Sequence, residues 1–176
     1  MSWILPGTQI EIRKEDAGHV DELFGSMFLA GGMVLSQVSS VTGLEPYTVQ
    51  NWVKRGFLPP PQRKRYSMDQ VCRVININML KGVLPMEQIC GLLSYINGIL
   101  DDDSDDIIRD SQLYFLFVGL AAREELSEDR WAQALGDYVE SVPGARERIE
   151  KALRIMLTAW TAAQMRQEAE RMLAEL

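Results

Sequence analysis

Between Leu35 and Leu93 the hydrophobic positions recur at helical spacing in four short runs, and a glycine follows each run. Leu35–Thr42 carries Val38 and Val41 on one face, with Ser36 as the expected N-cap and Gly43 as the stop. Glu45-Pro46 opens the next helix, with proline in the N1 position it favours, and Val49, Trp52 and Val53 form an i, i+3, i+4 stripe. Gly56 ends that helix, and Pro59–Pro61 prevent it from resuming. Ser67 is positioned to cap a third helix carrying Val71, Val74, Ile75, Ile77, Met79 and Leu80, closed by Lys81-Gly82. Pro85 opens a fourth helix with Ile89, Leu92, Leu93 and Ile96 before Asn97-Gly98.

Outside this stretch the patterns are coarser. Residues 1–14 read as extended or irregular. Val20, Leu23, Phe24, Met27 and Phe28 predict an amphipathic helix over 16–28, with Gly31-Gly32 as a hinge behind it. The acidic run over 101–106 reads as a solvated linker, because it lacks the alternating ligand spacing and distal glutamate of a calcium loop. The segment 107–126 contains Leu113-Tyr114-Phe115-Leu116-Phe117-Val118, which predicts a helix buried on all sides, or a strand over those six residues alone. A helix from Ser127 through Val139 presents Trp131, Ala134, Leu135 and Tyr138, and Pro143-Gly144 breaks it. The last element, 145–176, has apolar positions at 149, 153, 156, 160 and 163 that step to 165, 169, 172 and 176. That phase shift argues against a continuous coiled coil and for a core helix whose distal half meets a partner subunit.

Charge changes this picture more than composition does. The 176-residue chain carries −7, yet residues 31–82 hold Lys54, Arg55, Arg63, Lys64, Arg65, Arg73 and Lys81 against only Glu45 and Asp69. A positive island in an acidic chain points to phosphate as its partner. The longest apolar stretch, Leu113–Ala122, has ten residues, about half of what a membrane helix needs. The N-terminus has no secretory signal pattern, so the expected location is cytoplasmic. Two cysteines, Cys72 and Cys90, fall in helical patterns and read as buried free thiols. With His19 as the single histidine, neither a zinc centre nor a nucleophilic triad can be assembled, and no enzyme, metal or cofactor is expected. Tyr114, Phe115, Phe117, Trp131, Tyr138 and Trp160 could line a ligand pocket, but their helical spacing reads first as core.

Two short helices, a tight turn and a basic hairpin are the parts of a winged helix-turn-helix. The exposed side of the second helix, Tyr47, Thr48, Gln50, Asn51 and Lys54, could reach base edges, since glutamine and asparagine can each bind adenine through two hydrogen bonds. Arg55, Arg63, Lys64, Arg65 and Tyr66 would then meet the sugar–phosphate backbone. Gly56-Phe57-Leu58-Pro59-Pro60 resembles the glycine-leucine-leucine-proline-proline stretch of MerR-type regulators, and Lys81-Gly82-Val83-Leu84-Pro85-Met86-Glu87-Gln88-Ile89 resembles the segment opening their fourth helix. Asn51-Trp52-Val53-Lys54, Pro59–Pro61 and Arg63-Lys64-Arg65-Tyr66 are similar to a bacterial group known only as a domain of unknown function with a MerR-like helix-turn-helix. The chain departs from MerR proteins in carrying Gln50, Asn51 and Trp52 where they have an arginine and two tyrosines, and its hairpin is shorter. The resemblance implies a mostly α protein with a MerR-like winged helix-turn-helix, a short wing and an acidic C-terminal helical region. Its expected parts are an N-terminal segment (1–32), the DNA-binding unit (33–98), the linker (99–106) and the helical region (107–176). The implied function is transcriptional regulation by binding duplex DNA as a homodimer, the effector being undefined. The alternative is a protein-interaction module built on the same scaffold.

Overall fold

The computed structural model describes residues 1–98, 100, 103–123 and 127–176. The protein is mostly α-helical, and its hydrophobic core is continuous from Leu5 to Ala159. Eight helices are described: α1 (Val20–Met27), α2 (Leu35–Thr42), α3 (Pro46–Lys54), α4 (Met68–Leu80), α5 (Met86–Asn97), α6 (Asp110–Ala121), α7 (Glu128–Ala134) and α8 (Ala145–Ala174). Two strands, β1 (Ser2–Ile4) and β2 (Glu11–Arg13), pair antiparallel with Trp3 opposite Ile12.

α4 is the centre of the fold. Ser67 and Gln70 form a reciprocal capping box at its start: Ser67 Oγ accepts from the Gln70 N–H, and the Gln70 carboxamide accepts from the Ser67 N–H. From Val71 to Ile77 every residue is buried, including Arg73 and Asn76. Such a helix is enclosed on all sides, with α2, α5, α6 and α8 packed around it. α6 is its main partner. The all-round apolar pattern over 113–118 is helical, and Leu113, Tyr114, Phe117 and Val118 are buried. The Tyr114 hydroxyl donates to the Pro6 carbonyl at 2.9 Å, tying the N-terminal segment to this core.

Several boundaries differ from the sequence expectation. The N-terminal segment is extended as expected and pairs as β1 and β2, and the loop between them buries Leu5 and Thr8, with Thr8 Oγ1 both donating to the Leu5 carbonyl and accepting from the Ile10 N–H. The first helix starts at Val20, after a 3-10 turn over Lys14–His19. Ser36 is inside α2 rather than its cap. The N-cap is Val34, whose N–H donates to the Gln37 carboxamide. α6 begins at Asp110, because Ile107 and Ile108 enter the core ahead of it; the expected end at Leu126 lies outside the described residues. α7 stops at Ala134 instead of Val139, and Arg146 donates to the carbonyls of Leu135 and Tyr138. Of the acidic run, Asp101 and Asp102 lie outside the described residues, and Asp103–Asp105 form a 3-10 turn.

Among the described residues, the core of α4 continues into α6 and α8. The Ser111 N–H donates to the Asp69 carboxylate at 3.0 Å, and the Arg73 guanidinium is 3.7 Å from Asp110, so α4 and α6 form one unit. α8 is about 45 Å long by its 30 residues. Up to Ala163 it buries Ile149, Ala152, Leu153, Met156, Ala159 and Ala163 itself, while everything beyond Ala163 is exposed.

Candidate nucleic-acid interface

The candidate interface is built from α2, α3 and the hairpin that follows. Gly43 ends α2 with a φ of 73°, and a Cβ there would also lie 2.6 Å from Gln9 Nε2. Leu44 then turns inward and is buried, and Pro46 occupies the first position of α3 with Glu45 as N-cap. Val49 and Trp52 fix the inner face of α3. The opposite face follows from the helical period: Tyr47 (76% exposed), Gln50 and Lys54 are exposed, and Thr48 and Asn51 are half-buried beside them.

Behind α3 the chain is held by side chains from α4. Arg73 Nε donates to the Phe57 carbonyl at 3.0 Å, and Gln70 Nε2 donates to the Pro59 and Pro60 carbonyls. The Arg55 guanidinium lies over the Phe57 ring, 4.6 Å from its centroid. Gln62 and Arg65 then exchange two backbone hydrogen bonds at 3.0 and 2.9 Å around a two-residue tip. At that tip Arg63 (φ 49°) and Lys64 (φ 62°) are both left-handed. Positive φ at both central residues is the signature of a type I′ turn, which ordinarily carries asparagine and glycine.

The base of the hairpin is anchored. Met33 and Tyr66 exchange backbone hydrogen bonds at 2.8 and 2.9 Å, and Arg65 Nη1 donates to the Gly32 carbonyl at 2.8 Å. Gly32 is required by this approach, since a Cβ would stand 2.6 Å from the Tyr66 carbonyl oxygen.

The expected residues therefore separate into four groups, half-buried Thr48 and Asn51 being one of them. Tyr47, Gln50, Lys54, Arg55, Arg63 and Lys64 are exposed, and none of the four cations has a carboxylate partner within 4.0 Å among the described residues. Arg65 is exposed but tethered. Tyr66 was expected at the sugar–phosphate backbone, yet it is only 3% exposed; burial also pushes its phenol pKa up. It anchors the hairpin from inside.

Arg73 likewise leaves the positive island. It is buried against Asp110, whose carboxyl is pushed up to about 6 by burial, with Arg73 pulling the other way. Lys81, at the far end of α4, lies about 20 Å along the helix from the hairpin. The surface charge near α3 is thus smaller than the sequence count, and concentrated at the helix end and the hairpin tip.

No group of three or more metal-ligating side chains converges among the described residues. Cys72 is buried, and its thiol is pushed up by burial and by the nearby carboxylates of Asp69 and Asp110; burial also raises Cys90. Both are therefore poor thiolates. Of the aromatic residues weighed as a pocket, Tyr114, Phe117 and Trp131 are core. Sequence reasoning missed the left-handed tip, because Arg-Lys carries no turn signature.

Residues 32–117, a little under half of the chain, match the family described as a domain of unknown function (DUF1836). The matched span runs from the glycine against the hairpin through α5 and into α6. The chain is also 30% identical over 84 residues to the uncharacterized protein YkrK of Bacillus subtilis (strain 168), an alignment covering 46% of this chain and 36% of that protein. The chain thus spans only about a third of the length of that relative. No solved structure matches.

Proposed function

We propose that this protein is a DNA-binding transcriptional regulator with a MerR-like winged helix-turn-helix. α3 lies in the major groove, and the 62–65 hairpin holds the flanking backbone. The observation that carries this reading is the hairpin tip. Two consecutive cations occupy left-handed positions that cost a residue with a Cβ about 1–2 kcal/mol each, and neither has a carboxylate partner among the described residues. Turn stability would favour asparagine and glycine there, so two charges stand against the backbone preference, as strained residues often do at functional sites. Phosphate oxygens are the partners such a paired cationic tip suits.

On α3, Gln50 and Asn51 are the candidates for base contacts, and Tyr47, Thr48 and Lys54 flank them on the same side. Arg55 and the hairpin cations set affinity and register. The working form is a homodimer joined through the distal half of α8, where Met165, Met172 and Leu173 are exposed in an otherwise mixed-charge helix. No catalytic, cofactor or metal role is proposed.

Genome-wide immunoprecipitation of the protein with its bound DNA tests this reading. Enrichment of sites sharing a motif is expected. Recovery of no enriched sites would overturn it in favour of a protein-interaction module on the same scaffold.

A further inference from the structure

A cavity of about 600 Å³ lies between the 5–9 loop, the end of α4 and the middle of α8. Its size is within the ~300–1,000 Å³ range of small-molecule sites. In a chain with 25 acidic and 18 basic residues, the lining includes Lys81 and Arg166 and no aspartate or glutamate. Arg166 Nη1 donates to the carbonyl of Gly82, the residue that follows Lys81 in sequence, at 2.6 Å. Arg166 Nε is 3.4 Å from the exposed Glu170, which is outside the lining. Lys81 has no carboxylate partner among the described residues.

The same cavity is lined by Trp3 of β1 and Trp160 of α8. Trp160 is held edge-on against Phe117, with ring centroids 6.0 Å apart at 86°, so its indole is positioned by the core. Both tryptophans are half-buried, leaving part of each side chain uncovered. A lining that holds two cations and two indoles suits a ligand with a negative charge and a flat apolar ring.

We infer that this cavity binds a small aromatic anion, its carboxylate or sulfonate between Lys81 and Arg166 and its ring against Trp3 and Trp160. The site also touches the joint between α2 and the N-terminal strand pair. The Gln9 N–H donates to the Val41 carbonyl at 2.7 Å, and Asn78 Nδ2 donates to the carbonyls of Gly7 and Thr42 at 3.0 Å each. Gln9, Gly7, Thr42 and Asn78 all belong to the cavity wall. An occupant therefore braces the turn that carries α3, whatever α3 contacts.

The test is calorimetric titration of the full chain with benzoate, 1-naphthoate and 1-naphthalenesulfonate, beside the neutral 1-naphthamide. Saturable 1:1 binding of at least one anion is expected, at least tenfold tighter than the amide, with quenching of tryptophan fluorescence. The variant Lys81→Gln with Arg166→Gln should lose tenfold or more in affinity, whereas Arg123→Gln with Arg130→Gln should bind as wild type does. Circular dichroism of each variant establishes that it is folded, and Lys81→Gln alone, at a side chain with no carboxylate partner among the described residues, should still weaken binding. Absence of saturable binding by all three anions would overturn the inference, as would equal affinity of the wild type and the folded Lys81→Gln variants. These readouts contain no DNA, so their outcome is separate from that of the DNA-binding proposal.

Discussion

Arg63 and Lys64 hold backbone angles that suit asparagine and glycine, and under the DNA-binding proposal this sets stability and recognition against each other at two adjacent positions. Replacing them by Arg63→Asn with Lys64→Gly keeps the turn and removes both charges. Unfolding free energy should rise by about 1 kcal/mol in urea titration, while affinity for any DNA duplex falls. A variant that is stabilised and binds DNA as well as wild type would show that the tip charges are incidental. Asp110 supplies a second residue-scale expectation. Its carboxyl is raised from 3.8 to about 6, so the native state holds this proton more tightly than the unfolded chain does. Its contribution to stability is therefore largest below pH 4, declines as pH rises from about 4 to about 6, and is constant above. The wild-type advantage over Asp110→Asn in unfolding free energy should fall by roughly 2–3 kcal/mol across that window. A pH-independent difference would contradict the buried, proton-binding state of this carboxyl.

At the scale of elements, the short helices were legible because each signal was local. Glycine stops, proline at N1 and the Ser67 cap act within one turn of chain, and α2 through α5 lie close to where periodicity put them. Ser36 was misread because a serine at a helix start is a plausible cap, whereas the helix starts at Leu35, one residue before it, and its side-chain bond runs from the Val34 N–H to the Gln37 carboxamide. The features that were not legible are long-range. Burial of Tyr66 depends on Met33, and that of Arg73 on Phe57 and Asp110, so neither could be told from an exposed polar residue by spacing. Gly32 shows the same dependence: it reads as a hinge in sequence, yet it is the close-approach point of the hairpin. Gly32→Ala should destabilise the protein by about 1–3 kcal/mol through collision with the Tyr66 carbonyl, read as a lower thermal midpoint. α8 carries the element-scale expectation for assembly. Met172→Glu with Leu173→Glu should convert the proposed dimer to monomer in sedimentation velocity with helical content unchanged, because both side chains lie in the exposed stretch beyond Ala163. Retention of the dimer would place its interface elsewhere.

At the scale of the molecule, the charge distribution is the central quantity. The chain is acidic overall, and the described structure withdraws Arg73 into the core, ties Arg65 to Gly32 and leaves Lys81 beside a separate cavity. Lys54, Arg55, Arg63 and Lys64 remain as the cations available to a duplex at α3 and the hairpin. Under the DNA-binding proposal, acidic surface elsewhere would keep non-specific association weak, so binding should be short-ranged and steeply dependent on salt. The direct measurement is duplex affinity as a function of salt for wild type and for Arg63→Ala with Lys64→Ala. The account predicts weaker binding of the variant to every sequence, and a log–log salt slope shallower by about two. Equal affinity and equal slope for the two proteins would contradict it.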